Sequence, residues 1–505
     1  MSTKIARSVG SVSIATLFSR ILGYLRDMVV ASRFGNGPVA DTFYLAFRIP
    51  NLLRDLLGEG SLSSGFIPVF TECYVQKGKE EASALYSACL GLMLVVLSVV
   101  TLLGIIFAPV IVRLIAWGWW DKPEQLALAV KLTRIMFPFI AFISLSALAM
   151  GVLNSLHSFF VPAIAPTMVS IFEVAAVFLL VPVMNVPIEG LAWGVLCGGL
   201  FQFLWQVPTL LKNGFLHKLV LTMTPEIRKI GVLIIPVAIG SGVRQINVLV
   251  DQVCASFLGD GSIMALYYAN RLYQLPLALF GLSIATVALP VMSRAVANQN
   301  IPDLKKTLSL SLRMMLLAMI PSTVGLVVLG EPIIRLLFQH GNFNAAGTGL
   351  TNLALAYFSL GLVFFAGARI VAAAFYSLQD TRTPVKIAVI AMITNAVLNI
   401  ILMRYLQVGG LALATTLASG LNMVMLLQLL RKRLGLLGAR QIAQTGIKVV
   451  LASLVMGLAC YLLRQWVIAA LAAGAVVFIL MVHVLRVEEF KYLKDIVLKR
   501  QISEL

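Results

Sequence analysis

The sequence predicts an all-α polytopic membrane protein. Fourteen transmembrane helices are expected, in two parallel, pseudo-symmetric six-helix lobes followed by two C-terminal helices, with both termini cytoplasmic. Three observations carry this. Of 505 residues, 60% are hydrophobic and 12% charged, with a mean hydropathy of +0.96, far more apolar than a soluble domain. Apolar runs of about 20 residues, enough to cross ~30 Å of hydrocarbon as helix, recur from end to end. Basic residues and an internal repeat then order those runs. A spanning β-barrel would instead show ~10-residue alternating segments.

Spans are expected over 10–32, 43–72, 84–117, 126–155, 162–184, 189–211, 230–257, 262–293, 307–330, 348–378, 385–406, 409–430, 441–463 and 466–486. Lys4 and Arg7 precede the first run and no small-residue cleavage site follows, so the first span is read as retained. The second is unusual. In FRIPNLLRDLLGEG, residues 47–60, it carries Arg48, Arg54, Asp55 and Glu59 together with Pro50, Gly58 and Gly60. A broken, charged helix is tolerable in a membrane only beside protein or water. The third ends at AWGWW, residues 116–120, which suits an interfacial aromatic belt. With the N-terminus inside, 22 basic residues fall in cytoplasmic segments and five, Arg33, Lys122, Arg335, Arg404 and Arg464, outside. That asymmetry supports fourteen spans with both ends cytoplasmic.

The seventh span begins a repeat. RILGYLRDMVVASRFGNG (20–37) and RQINVLVDQVCASFLGDG (244–261) share eight of eighteen positions, among them Arg20 with Arg244 and Asp27 with Asp251. Pro68-Val69 with Pro290-Val291, and Ser155-Leu156 with Ser377-Leu378, keep nearly the same offset. Six helices separate the copies, so both insert the same way up, as in many transporters. The expected organisation is a first lobe over 1–218, a second over 219–436, two further helices over 437–487 and a polar tail over 488–505. The tail could lie as an amphipathic helix on an anionic leaflet.

The net charge of +18 is explained by basic loops and buried cations, so nucleic acid is not an expected partner. Five scattered cysteines and four histidines point away from a disulfide or metal framework. No GxxxxGK[ST] phosphate loop occurs. Arg113, Lys131, Arg134, Arg313 and Lys448 lie near span ends and are expected to snorkel. Arg20, Arg26, Arg48, Arg54, Arg244, Arg271 and Arg369 sit deeper, at roughly 2.5–3.5 kcal/mol each if they faced lipid. They are expected to line a wet cavity or to pair with Asp27, Asp55, Glu59, Glu173 and Asp251. An excess of buried arginine implies an anionic substrate, and the guanidinium fork suits phosphate.

LFSRILGYLRD, ADTFYLAFRIPNLLRDLLGEGSLSSGFIPVF and YYANRLYQLPLALFGLSIATVALP closely resemble the MurJ (MviN) family of lipid II flippases, within the multidrug/oligosaccharidyl-lipid/polysaccharide exporter superfamily. The likeness is dense over residues 8–75 and 235–295 and looser to about 430. It implies a non-enzymatic, multi-pass protein of the bacterial inner membrane, acting in peptidoglycan and cell-wall biogenesis and so in cell shape. Such a protein moves lipid II to the outer leaflet by alternating access. It implies that Arg20, Arg26, Arg54 and Arg271 hold the diphosphate head group, that Asp27 pairs with neighbouring arginines, and that Asp41 and Glu59 act in gating. The last two helices would form a groove for the lipid tail. Expected partners are lipid II, membrane lipids and cell-wall synthesis proteins. No cofactor is expected beyond a coupling cation, sodium or proton. A sodium site would fall on Asp251, Asn395, Asn399 and Thr415. Two positions depart from the family pattern: Asn270 and Asn399 stand where Asp is usual. The alternative function is export of another lipid-linked glycan or an amphipathic drug. An intramembrane glycosyltransferase or lipid phosphatase would need an outward-facing His or carboxylate constellation that the short outer loops do not offer.

Overall fold

The computed structural model describes residues 2–57, 63–215 and 220–490. Among the described residues every regular element is a helix. Glu59, Gly58 and Gly60 of the charged second span lie outside the described residues, as does the tail from 491 onward. Two compact units are formed, one by Met1–Ile263 with His340–Asn344 and one by Met264–Gln339 with Ala345–Leu505.

The first unit contains α1 (Ser2–Phe34), α2 (Pro38–Leu57), α3 (Ser63–Lys77), α4 (Lys79–Ile115), α5 (Pro123–Met136), α6 (Phe139–Ser155), α7 (Phe160–Ile164), α8 (Thr167–Leu179), α9 (Pro187–Leu204), α10 (Val207–Lys212) and α11 (Pro225–Ser256). The ends follow local chemistry. Helix α4 opens with Glu80 and Glu81 and closes with Arg113, complementing its dipole. The hydroxyl of Thr224 caps α11, accepting from the Ile227 N–H, with Pro225 at the first helical position. Gly194 and Gly198, one turn apart on α9, face the backbone of α8. A side chain at Gly198 would come within 2.7 Å of Val169 Cα. The small-xxx-small spacing therefore lets α8 and α9 pack closely and fixes α8, which also packs on α1. The contact-based division differs from the repeat-based lobes at His340–Asn344, which joins the first unit, and at α11, which packs on α2, α3 and α4 there.

The second unit contains α12 (Ser262–Pro276), a π turn over Leu277–Leu282, α13 (Ser283–Ala297), α14 (Ile301–Phe338), α15 (Ala345–Leu360), α16 (Leu362–Ser377), α17 (Arg382–Leu434), α18 (Ala439–Leu462) and α19 (Val467–Val484). Helices α15 and α16 meet at a 40° bend and together answer the expected span 348–378. As one rod, the 53 residues of α17 would reach about 80 Å at 1.5 Å per residue, far beyond a bilayer core. Gln407, at φ 49 and ψ −125, interrupts it. A side chain at Gly410 would collide with the Leu402 carbonyl, so the chain doubles back there. The two halves fit the expected spans 385–406 and 409–430.

Among the described residues nine helices are long and apolar enough to cross a membrane, or ten if the bent pair is one span. Helices α1, α2, α3 and α11 lie outside this set. Of these, α1 alone carries Arg20, Arg26, Asp27 and Arg33.

Candidate functional site

Charged groups cluster in the first unit where α1 meets α8. Arg26 and Asp27 are buried, 7% and 1% exposed, and Glu173 of α8 is 2% exposed. Arg26 donates through Nε (3.0 Å) and Nη2 (2.7 Å) to Asp27 Oδ1, and through Nη1 (3.0 Å) to Glu173 Oε1. One guanidinium thus serves two carboxylates from two helices. Buried charges persist only when paired and hydrogen-bonded, and the planar fork of arginine suits two acceptors at once. The close α8–α9 packing at Gly194 and Gly198 holds the backbone that presents Glu173.

Arg20, two turns before Asp27 on α1, is exposed, and Arg54, in the last turn of α2, is half-buried. Asp41 is buried in the first turn of α2 and accepts the Gly261 N–H on Oδ2 at 2.6 Å. Around it, Lys122 pairs with Asp260 at 2.8 Å, and the Gly118 N–H donates to the Ser256 hydroxyl at 2.9 Å. Asp41 therefore belongs to a knot joining the start of α2, the Trp117–Trp119 turn and the end of α11. At the start of α11, Lys77 of α3 pairs with Glu226 and Lys229 of α11 pairs with Glu72, both at 2.7 Å. These crossed pairs clasp α3 to α11. The Lys77 hydrogen bond pulls the Glu226 carboxyl down to about 2 and raises the Lys77 ammonium.

In the second unit, Arg271 of α12 is half-buried, its guanidinium 5.9 Å from the Tyr267 ring centroid, within cation–π range. The neighbouring Asn270 donates to the Tyr273 hydroxyl at 3.2 Å and accepts from Gln274. Asn395 and Asn399 lie one turn apart on the first half of α17. Asn399 Nδ2 donates to Asn395 Oδ1 at 3.0 Å, and Asn395 Nδ2 to Thr415 Oγ1, on the returning half, at 3.2 Å. Asp251 is half-buried on α11 of the first unit. In the second unit the sodium donor set is thus neutral. Asn395 Oδ1 and Thr415 Oγ1 accept from neighbouring amides, as polar glue between helices does. Among the described residues no group of three or more His, Cys, Asp or Glu could hold a metal ion.

Sequence reasoning placed Glu173 among the pairing carboxylates without finding its partner. Its signal was a lone acid in an apolar run. Arg313 is paired at 2.6 Å with Glu489, 1% exposed. Lys131 likewise pairs with Glu189 at 2.6 Å.

Apolar helices of spanning length, crossed by a buried ion cluster and interhelical amide bonds, define a multi-pass helical membrane protein. Residues 30–482 match the family model described as "Lipid II flippase MurJ". The "Probable lipid II flippase MurJ" of Vibrio cholerae is 38% identical over 84% of this chain and 83% of its own length. The "Lipid II flippase MurJ" of Burkholderia cenocepacia is 36% identical over 85% and 84%. The solved structure titled "Lipid II flippase MurJ, inward closed conformation" superposes with a TM-score of 0.81 at 30% identity, covering 94% of this chain and 98% of that one. The chain belongs to the lipid II flippase MurJ family. An inward-facing multidrug resistance MATE transporter of the MOP superfamily superposes with a TM-score of 0.70 at 16% identity, over 84% of this chain and 98% of that one. That likeness speaks for the fold alone.

Proposed function

We propose that this protein flips lipid II from the cytoplasmic to the outer leaflet of the bacterial inner membrane, as a transporter that catalyses no covalent step. The family match across residues 30–482 carries this reading. In it the fourteen spans are completed by α1, by α2 with α3, by α11 and by the two halves of α17, with both termini cytoplasmic. Arg20, Arg54 and Arg271 are the cations that receive the diphosphate, because forked guanidinium donors match its paired oxygens. Arg26 acts behind them: it holds Asp27 and Glu173 and sets the angle of α1. The knot around Asp41 and the clasp between α3 and α11 are the contacts that alternate as access switches sides, and Glu59 acts with them. The last two helices accept the lipid tail, and cell-wall synthesis proteins are the expected neighbours. A gradient drives the cycle: a coupling cation, sodium or proton, or the membrane potential itself, which is worth about 2.3 kcal/mol per charge per 100 mV.

The test uses cells depleted of their own lipid II flippase. Expression of this chain should restore labelling of lipid II at the outer leaflet, and Arg54→Ala should insert normally without restoring it. Failure of the wild-type chain, once inserted, would refute the substrate assignment. Restoration by Arg54→Ala would remove Arg54 from the site.

A further inference from the structure

Helix α19 ends as α6, α13 and α16 do, with a non-glycine residue in the left-handed position. The Val487 N–H reaches the Val482 carbonyl at 3.1 Å and the Arg486 N–H reaches His483 at 3.1 Å, closing the helix in a Schellman turn. The left-handed position of that turn usually holds glycine, because a Cβ is penalised there. Here it holds Arg486, at φ 51.

Arg486 borders a half-open cavity of about 240 Å³, lined also by Val482, His483, Val487 and Phe490. Three of these five are apolar, while His483 and Arg486 are exposed. Lys448 of α18 adds a further cation, its Nζ 3.3 Å from the Arg486 carbonyl oxygen. The nearby acids are already engaged. Glu489 bonds Arg313 at 2.6 Å and accepts from Thr445 at 3.2 Å, and Glu488 reaches Arg313 at 3.6 Å. Among the described residues here, Arg313, Lys448 and Arg486 outnumber Glu488 and Glu489 by one charge, before His483 is counted. The cavity sits where the apolar run of α19 ends at Val484, the depth of lipid headgroups for a spanning helix.

We propose that this cavity binds the headgroup of an anionic phospholipid. Arg486 and Lys448 take the phosphate, with His483 beside them, while Val482, Val487 and Phe490 meet the first carbons of the chains. Basic residues at a membrane surface gain on the order of a fivefold preference each for anionic lipid. The inference is independent of which leaflet faces this end.

The test exploits the strained backbone. Full-length protein in neutral detergent is titrated with phosphatidylglycerol or phosphatidylcholine, and bound lipid and melting temperature are read together. Arg486→Gly relieves the left-handed position, so its melting temperature in phosphatidylcholine should equal or exceed wild type. Its affinity for phosphatidylglycerol should fall about fivefold, and Lys448→Ala should lower it similarly. A purely structural Arg486 predicts wild-type affinity in Arg486→Gly, and that result would overturn the proposal. So would equal stabilisation by inorganic phosphate alone, which would reassign the cavity to a free anion.

Discussion

Removing the Glu173 carboxylate should destabilise the first unit through its pairing with Arg26. Glu173 Oε1 lies 3.0 Å from Arg26 Nη1, and both side chains are more than nine-tenths buried. Stripping one partner from a buried ion pair costs about 3–5 kcal/mol, because the remaining charge is left without its counterpart. Here Arg26 keeps two bonds to Asp27, so Glu173→Ala belongs at the lower end, about 3 kcal/mol. Glu173→Gln retains an oxygen for Nη1 and loses only the charge assistance, which places it near half that value, about 1.5 kcal/mol. The assay is reversible unfolding in mixed micelles, followed by tryptophan fluorescence, with Arg26→Gln and the double variant completing a cycle. The coupling energy should exceed about 1 kcal/mol. Additivity within about 0.5 kcal/mol, or a Glu173→Ala variant as stable as wild type, would refute the pairing.

Gly198→Ala should push α9 off Val169 and destabilise the unit by about 1–3 kcal/mol; coupling between this substitution and Glu173→Gln checks that α9 supports Glu173. Asp41→Ala should cost about 1–3 kcal/mol, since the buried Gly261 N–H loses a charged acceptor, and hydrogen exchange at Gly261 should speed up. The clasp at Glu226 lies outside the expected spans and makes a pH prediction. Its carboxyl is held at about 2, below the ordinary 4.5. Its stabilisation is therefore complete above about 4.5 and fades as pH falls toward 2. Melting curves across that window should drop less steeply for Glu226→Gln, and added salt should narrow the difference, because both partners are solvent-accessible.

Hydropathy made the helical membrane class legible because lipid imposes one rule on every span. The reversal within α17 was also readable: residues 385–406 and 409–430 were separate spans on sequence grounds, and Gln407 with Gly410 supplies the break. Asn395 and Asn399 share a face by their spacing alone. What periodicity could not reveal was which distant charges meet. Arg26 and Glu173 are 147 positions apart, and their meeting depends on glycines of a third helix. The partner of Arg313, Glu489, lies far along the chain, beyond α19, and no local pattern announces it. Chain-distant pairing is a property of packing, and local pattern does not encode it.

The turn at Gln407 bears on how the protein is made. A nascent segment bearing Asn395 and Asn399 enters hydrocarbon less readily than its apolar neighbours, since each amide would shed water without replacement. Thr415 emerges from the ribosome only 20 residues after Asn395, and the reversal brings it alongside at once. The two halves of α17 can therefore leave the insertion channel as a preassembled hairpin, with the Asn395 amide already bonded to Thr415.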